Sequence, residues 1–167
     1  MQPFFSSKSG SILIEAMVGL MLIIVSFGGI ISLVSRGLQL NVEAKNKFIA
    51  TNLAIEGIEI VKASLDTNWI GVKNGMYELD YTCKEIGTIP CANTVGSQEV
   101  RSTRKFWKTP DGIYQYSVSM EETPFMRSVV INATLSSVTV NSIVHWMSGG
   151  KIQEVQISDT FMKWRKL

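Results

Sequence analysis

Glu15 is the only charged residue between positions 11 and 35. A carboxylate set in an apolar run costs a few kcal/mol to place in lipid and usually marks function there. Other residues whose types invite chemistry are sparse. His145 is the only histidine, beside Trp146, and no serine, cysteine or acidic constellation in the sequence can be tied to it, so its expected role is structural. Arg101, Arg104, Lys105 and Lys108 surround Phe106 and Trp107 in a basic-aromatic patch. Such a patch can stack single-stranded bases, but clustered charges more often form a solvated face or an edge strand. Nucleic acid is therefore not an expected partner. The chain has no phosphate-binding glycine loop, metal motif or nucleophile elbow. No catalytic residue, cofactor or metal site is expected, nor an enzyme.

The element that positions Glu15 is the apolar run itself. Residues 11–35 form a helix of roughly 37 Å at about 1.5 Å per residue, long enough for a hydrocarbon core of about 30 Å. Before it, residues 1–10 form a short polar leader ending in Lys8-Ser9-Gly10. Cutting at Gly10 would create an α-amine, mostly cationic at neutral pH, one helical turn from Glu15. Opposite charges in lipid attract more strongly than in water, so such an amine and Glu15 would attract. The plainer reading has Glu15 near one membrane face, reaching the headgroups.

Gly10-Ser11-Ile12-Leu13-Ile14-Glu15 resembles the signature of type IV prepilins, a leader ending in Gly followed by a hydrophobic helix with Glu at its fifth position. Ser11 and Ile12 stand where the family usually has Phe and Thr. The resemblance implies cleavage between Gly10 and Ser11 by a membrane-embedded prepilin peptidase, then N-methylation of Ser11. It gives Glu15 the register role in assembly, meeting the amine of a neighbouring subunit. The segment Leu53-Ala54-Ile55-Glu56-Gly57-Ile58-Glu59-Ile60-Val61, with Asn68-Trp69 downstream, is similar to the corresponding stretch of PilV-like minor pilins. Implied partners are the peptidase, other pilin subunits through the N-terminal helix, an inner-membrane assembly platform and membrane lipid. The implied location is the cytoplasmic membrane as a single-pass protein with its C-terminal domain outside, then an extracellular or periplasmic filament.

Formal net charge is +2, and removing Lys8 with the leader leaves 15 basic against 14 acidic residues. That balance is too weak to argue for an acidic partner. Lys8 before the span and Arg36, Lys45 and Lys47 after it do not fix orientation. Cys83 and Cys91 are the only cysteines, in a segment holding Gly87 and Pro90. An even count at short spacing in an exported domain points to one disulfide, adding roughly 2 to 3 kcal/mol in the chain-entropy picture. Two free thiols are the alternative. A secretory signal cut near Ser26-Phe27-Gly28 is a competing reading, opposed by Glu15 and by the apolar run continuing through Val34.

Past the span the helix should continue amphipathically over residues 36–66 and end near Leu65, before the turn formers Asp66, Thr67 and Asn68. Leu38, Val42, Ile49, Leu53 and Ile60 form one stripe; Phe48, Ile55, Ile58, Val61 and Leu65 form a second, offset one. Two stripes allow one face for the chain's own domain and another for neighbours, or a single wide core stripe. Gly28-Gly29 and Gly37 each weaken an interior turn by up to about 1 kcal/mol, which favours flexibility near Gly37. Gly28-Gly29 also suits a close helix contact in the membrane.

Residues 67–167 form the expected globular domain. Residues 70–110 read as irregular apart from a short strand over 76–82. Strands are expected over 113–120, 127–135 and 137–146, with Ser148-Gly149-Gly150-Lys151 turning into a last strand over 152–157. The C-terminal aromatics Phe161 and Trp164 are expected to fold back onto the sheet. Asn132-Ala133-Thr134 matches the N-glycosylation pattern and reads as accidental.

The expected fold is α+β and type IV pilin-like, with a long N-terminal helix, membrane-spanning in its first half, packed on a C-terminal antiparallel sheet. The expected function is that of a minor pilin or pseudopilin. The alternative is a single-span anchored module that binds a partner outside and never polymerises.

Overall fold

The computed structural model describes residues 9–67, 69, 72–81, 104–117 and 121–163, with the side chains of 9–11 left aside. The layout is α+β: one long helix and an antiparallel sheet. The helix, α1, runs Ser9–Thr67. Its residues fall in two compact units, 1–44 and 45–167. Helical structure continues through Gly28, Gly29 and Gly37, and at each of them an added Cβ would meet nothing within 4 Å.

The sheet comprises β1 Gly75–Tyr77, β2 Lys105–Lys108, β3 Tyr114–Gln115, β4 Glu121–Ala133, β5 Ser137–Ser148 and β6 Lys151–Met162. Its order is β3-β2-β4-β5-β6, with β1 also on β4, and every pairing is antiparallel. The β5–β6 hairpin turns on Gly149 and Gly150, whose φ values of 56° and 75° are both left-handed. A two-residue turn with two positive φ values is the type that matches strand twist, and glycine takes it without a Cβ penalty.

The three long strands occupy the expected stretches, but β4 begins six residues earlier than the reading 127–135 and contains Pro124. Proline is tolerated there because the β2–β4 register shifts between Lys105 and Trp107, so Pro124 lies at an irregularity. The Thr123 hydroxyl donates to the Phe106 carbonyl at 2.7 Å across that shift. Leu135, the last residue of the strand expected over 127–135, instead sits in the β4–β5 turn, 99% exposed. Strand β6 runs on to Met162, past the expected end at 157, with Phe161 half-buried against the core.

Three readings require correction. Residues 70–110 include β2, a true strand whose Phe106 is fully buried. The strand expected over 76–82 ends at Tyr77, because Leu79 and Asp80 turn their polar groups to Arg127 and Tyr116. Of the strand expected over 113–120, residues 118–120 lie outside the described residues, and over 113–117 only Tyr114–Gln115 is strand, because the Tyr116 amide donates to the Asp80 carboxylate at 3.1 Å instead of to a strand neighbour.

Within residues 45–167 the helix covers one face of the sheet through two apolar clusters. Ala50, Leu53 and Ala54 pack with Phe106, Tyr116, Phe125, Val144 and Trp146. Ile58, Val61 and Leu65 pack with Tyr77, Leu79, Val129, Ile131, Val138 and Val140. The two expected helical stripes therefore mix in the core. Leu53 from the first and Ile58, Val61 and Leu65 from the second are buried, whereas Phe48 and Ile55 stay exposed.

Candidate functional site

The large apolar side chains from position 12 to position 42 are each between 53% and 71% exposed. They point all round the helix. A helix apolar on every side is stable only when lipid or other protein covers it. Alone in water the exposed apolar area would far exceed what a soluble surface carries. The segment is long and apolar enough to cross a membrane. The Ser26 hydroxyl donates to the Leu22 carbonyl at 2.7 Å, so this polar side chain is satisfied inside its own helix.

Gly10 and Ser11 lie in the first turn of α1, and Glu15 follows one turn later with an exposed side chain. No other charged residue occurs up to Arg36. The unit 1–44 thus presents a single carboxylate near the start of an otherwise apolar cylinder. Its chemical capacity is electrostatic: it can hold one cation, with a strength set by how dry its surroundings are. Cys83, Cys91 and Arg101 lie outside the described residues, so the disulfide and part of the basic patch are not placed.

Two cations of the described part of that patch have acidic neighbours. Arg104 lies 3.9 Å from Glu78 and stacks over the Tyr116 ring, and Lys105 lies 3.3 Å from Glu122. His145 is buried in β5, in register with Met126 on β4 and Glu154 on β6. No group of three or more His, Cys, Asp or Glu residues suited to a metal occurs among the described residues.

A second polar feature was not anticipated. Between the two apolar clusters lies a layer of Glu56, Gly57, Arg127 and Ser142. Arg127 is fully buried. It donates to the backbone carbonyl of Leu53 at 2.5 Å and to that of Leu79, and its guanidinium lies 3.8 Å from Glu56 and over the Phe106 ring. Tyr116 donates from its hydroxyl to the Arg127 carbonyl at 3.1 Å. Burial raises the Glu56 carboxyl above the ordinary range, the nearby Arg127 opposes that shift, and Asp80 and Glu59 add to it. Burial likewise holds the Tyr116 phenol well above its usual value.

This layer exists because the residues around it are small. A Cβ on Gly57 would come within 2.6 Å of the Ser142 hydroxyl and 3.1 Å of Arg127 and Val129 side-chain carbons. The signal for Arg127 was present in the alternation: it belongs to the same inward row as Phe125, Val129 and Ile131. Its two terminal guanidinium nitrogens donate to the backbone carbonyls of Leu53 and Leu79 while Nε is buried without a partner, so the layer fastens helix, loop and sheet. Compared with family profiles, curated proteins and solved structures, the chain matches none.

Proposed function

We propose that this chain is a type IV pilin-like subunit, a minor pilin or pseudopilin, held in a membrane by α1 and drawn into a filament after cleavage between Gly10 and Ser11. One observation carries the reading. An apolar cylinder exposed on all sides bears a single carboxylate, Glu15, at the fifth position after a leader glycine. Lipid suits the cylinder before assembly, and neighbouring helices replace lipid afterwards without exposing it to water. The new α-amine at Ser11 and the Glu15 carboxylate of an incoming subunit then attract in a dry environment, which selects one axial offset. Residues 45–167 lie outside the membrane, and the apolar first part of α1 stays within the membrane or filament core.

The experiment is the intact mass and N-terminal sequence of the chain extracted from membranes of a host carrying prepilin peptidase. A start at Ser11, with or without an added methyl group, is the expected result. A start at Met1 favours the anchored module that does not polymerise. A start near Gly29 means a secreted soluble domain and removes the role given to Glu15.

A further inference from the structure

The outer edge of β6 is the longest strand edge in the described structure that no other strand covers. The β5–β6 register is continuous from Ser148 opposite Lys151 to Ser137 opposite Met162, with no bulge. Among the described residues no strand lies along the far side of β6. Edge strands are usually short, interrupted by proline or bulged, and this one is none of these. Most of its side chains are exposed; Val155, Ile157 and Phe161 are half-buried.

The turn decides which backbone groups are available. Ser148 and Lys151 flank the two glycines as the first and fourth residues of a β-turn, so they form a hydrogen-bonded pair. Alternation then directs the amides and carbonyls of Lys151, Gln153, Val155, Ile157 and Asp159 toward β5. Those of Ile152, Glu154, Gln156, Ser158 and Thr160 point outward.

We infer that this edge is a homotypic interface, in which β6 pairs antiparallel with β6 of a second copy about a two-fold axis at Val155. In that register Ile152 bonds the partner's Ser158, and Glu154 bonds the partner's Gln156, using only outward-facing backbone groups. Lys151 stands opposite the partner's Asp159, and by symmetry the pair occurs twice. These are non-hydrogen-bonded positions, where side chains approach most closely. Gln153 meets the partner's Ile157, and Val155 meets its own counterpart.

Neighbouring registers are worse on charge. Centring on Glu154 sets two carboxylates face to face. Centring on Ile157 sets Lys151 against the partner's Lys163. Centring on Gln156 brings no opposite charges together. Like charges directly opposite are destabilising and unlike ones stabilising, so the charge pattern of β6 selects a second copy of itself in one register. The inference rests on the sheet alone and is independent of the reading given to α1.

The test uses the full chain in detergent micelles, with oxidative cross-linking and light scattering at about 50 μM chain, a range suited to weak contacts. Val155→Cys is expected to give a covalent dimer well above the background of the parental chain. Gln153→Cys is not, because its counterpart lies about 13 Å away along the paired strands. Lys151→Glu is expected to weaken dimerisation by about tenfold, and Lys151→Glu with Asp159→Lys to restore it. A chain that stays monomeric overturns the inference. So does a dimer that is indifferent to Lys151→Glu and is not cross-linked by Val155→Cys, which would assign association to the helix.

Discussion

The guanidinium of Arg127 on β4 donates to the carbonyl of Leu53 in the helix, 2.5 Å away, with both groups buried. A carbonyl has two lone pairs, and within an α-helix that of Leu53 already accepts from the amide of Gly57. Arg127 takes the second, along an approach left open because Gly57 has no side chain. Charge-assisted bonds of this kind are stronger than neutral ones, and a planar fork can serve two carbonyls at once.

Arg127→Ala is expected to be among the most destabilising single changes in residues 45–167. It leaves the carbonyls of Leu53 and Leu79 without their charged donor and Glu56 without its counter-ion, a loss of about 3 to 5 kcal/mol by analogy with broken buried pairs. Arg127→Lys should recover only part of this, since one ammonium cannot reproduce the fork. Chemical denaturation of the detergent-solubilised chain, followed by near-ultraviolet circular dichroism, reads both effects.

Glu56 gives a pH dependence with a definite sign. Its carboxyl is raised above 4.5 in the folded chain, chiefly by burial. The folded state therefore holds this proton more tightly than the unfolded chain does. Its contribution to stability is fully present below pH 4.5 and declines as pH rises through the raised value. Glu56→Gln removes that decline. The variant should gain on the parent between about pH 4 and pH 7 in paired thermal melts; a constant difference across that range would falsify the assignment.

Gly57→Ala tests the close approach of helix and sheet. Alanine normally favours a helix interior by up to about 1 kcal/mol over glycine. Here the new methyl group would press on Ser142, Arg127 and Val129, and overpacking of this kind costs about 1 to 3 kcal/mol. Net destabilisation is expected, relieved when Ser142→Gly is made in the same chain. Stabilisation by the single change would mean that the layer repacks freely.

Glu15→Ala separates assembly from anchoring. Membrane insertion should survive, because the change makes the span more apolar. The share of chain recovered with sheared surface filaments should fall at least about tenfold, the loss of one ion pair in a dry setting. Unchanged recovery would leave Glu15 a headgroup contact.

The sequence by itself determined the elements whose physics is local. Residues 11–35 are apolar apart from Glu15 and a few small residues, so a membrane-length helix follows from composition and spacing. Alternation located β4, β5 and β6, and the Gly149-Gly150 pair located the turn joining the last two, because strand period and positive φ are properties of neighbouring residues. Tertiary structure decided what depends on distant groups. Lys105–Lys108 becomes a strand because β4 and β3 flank it, although its four residues carry two charges. The strand readings around Tyr77 and Tyr116 fell short because Asp80 and Arg127 offered their backbones better partners than a ladder would. The polar layer joins Glu56 and Gly57 to Arg127 and Ser142 across long stretches of chain. Alternation placed Arg127 on the inward row, but only the packed helix supplied the Leu53 carbonyl and the space beside Gly57 that let a guanidinium be buried there.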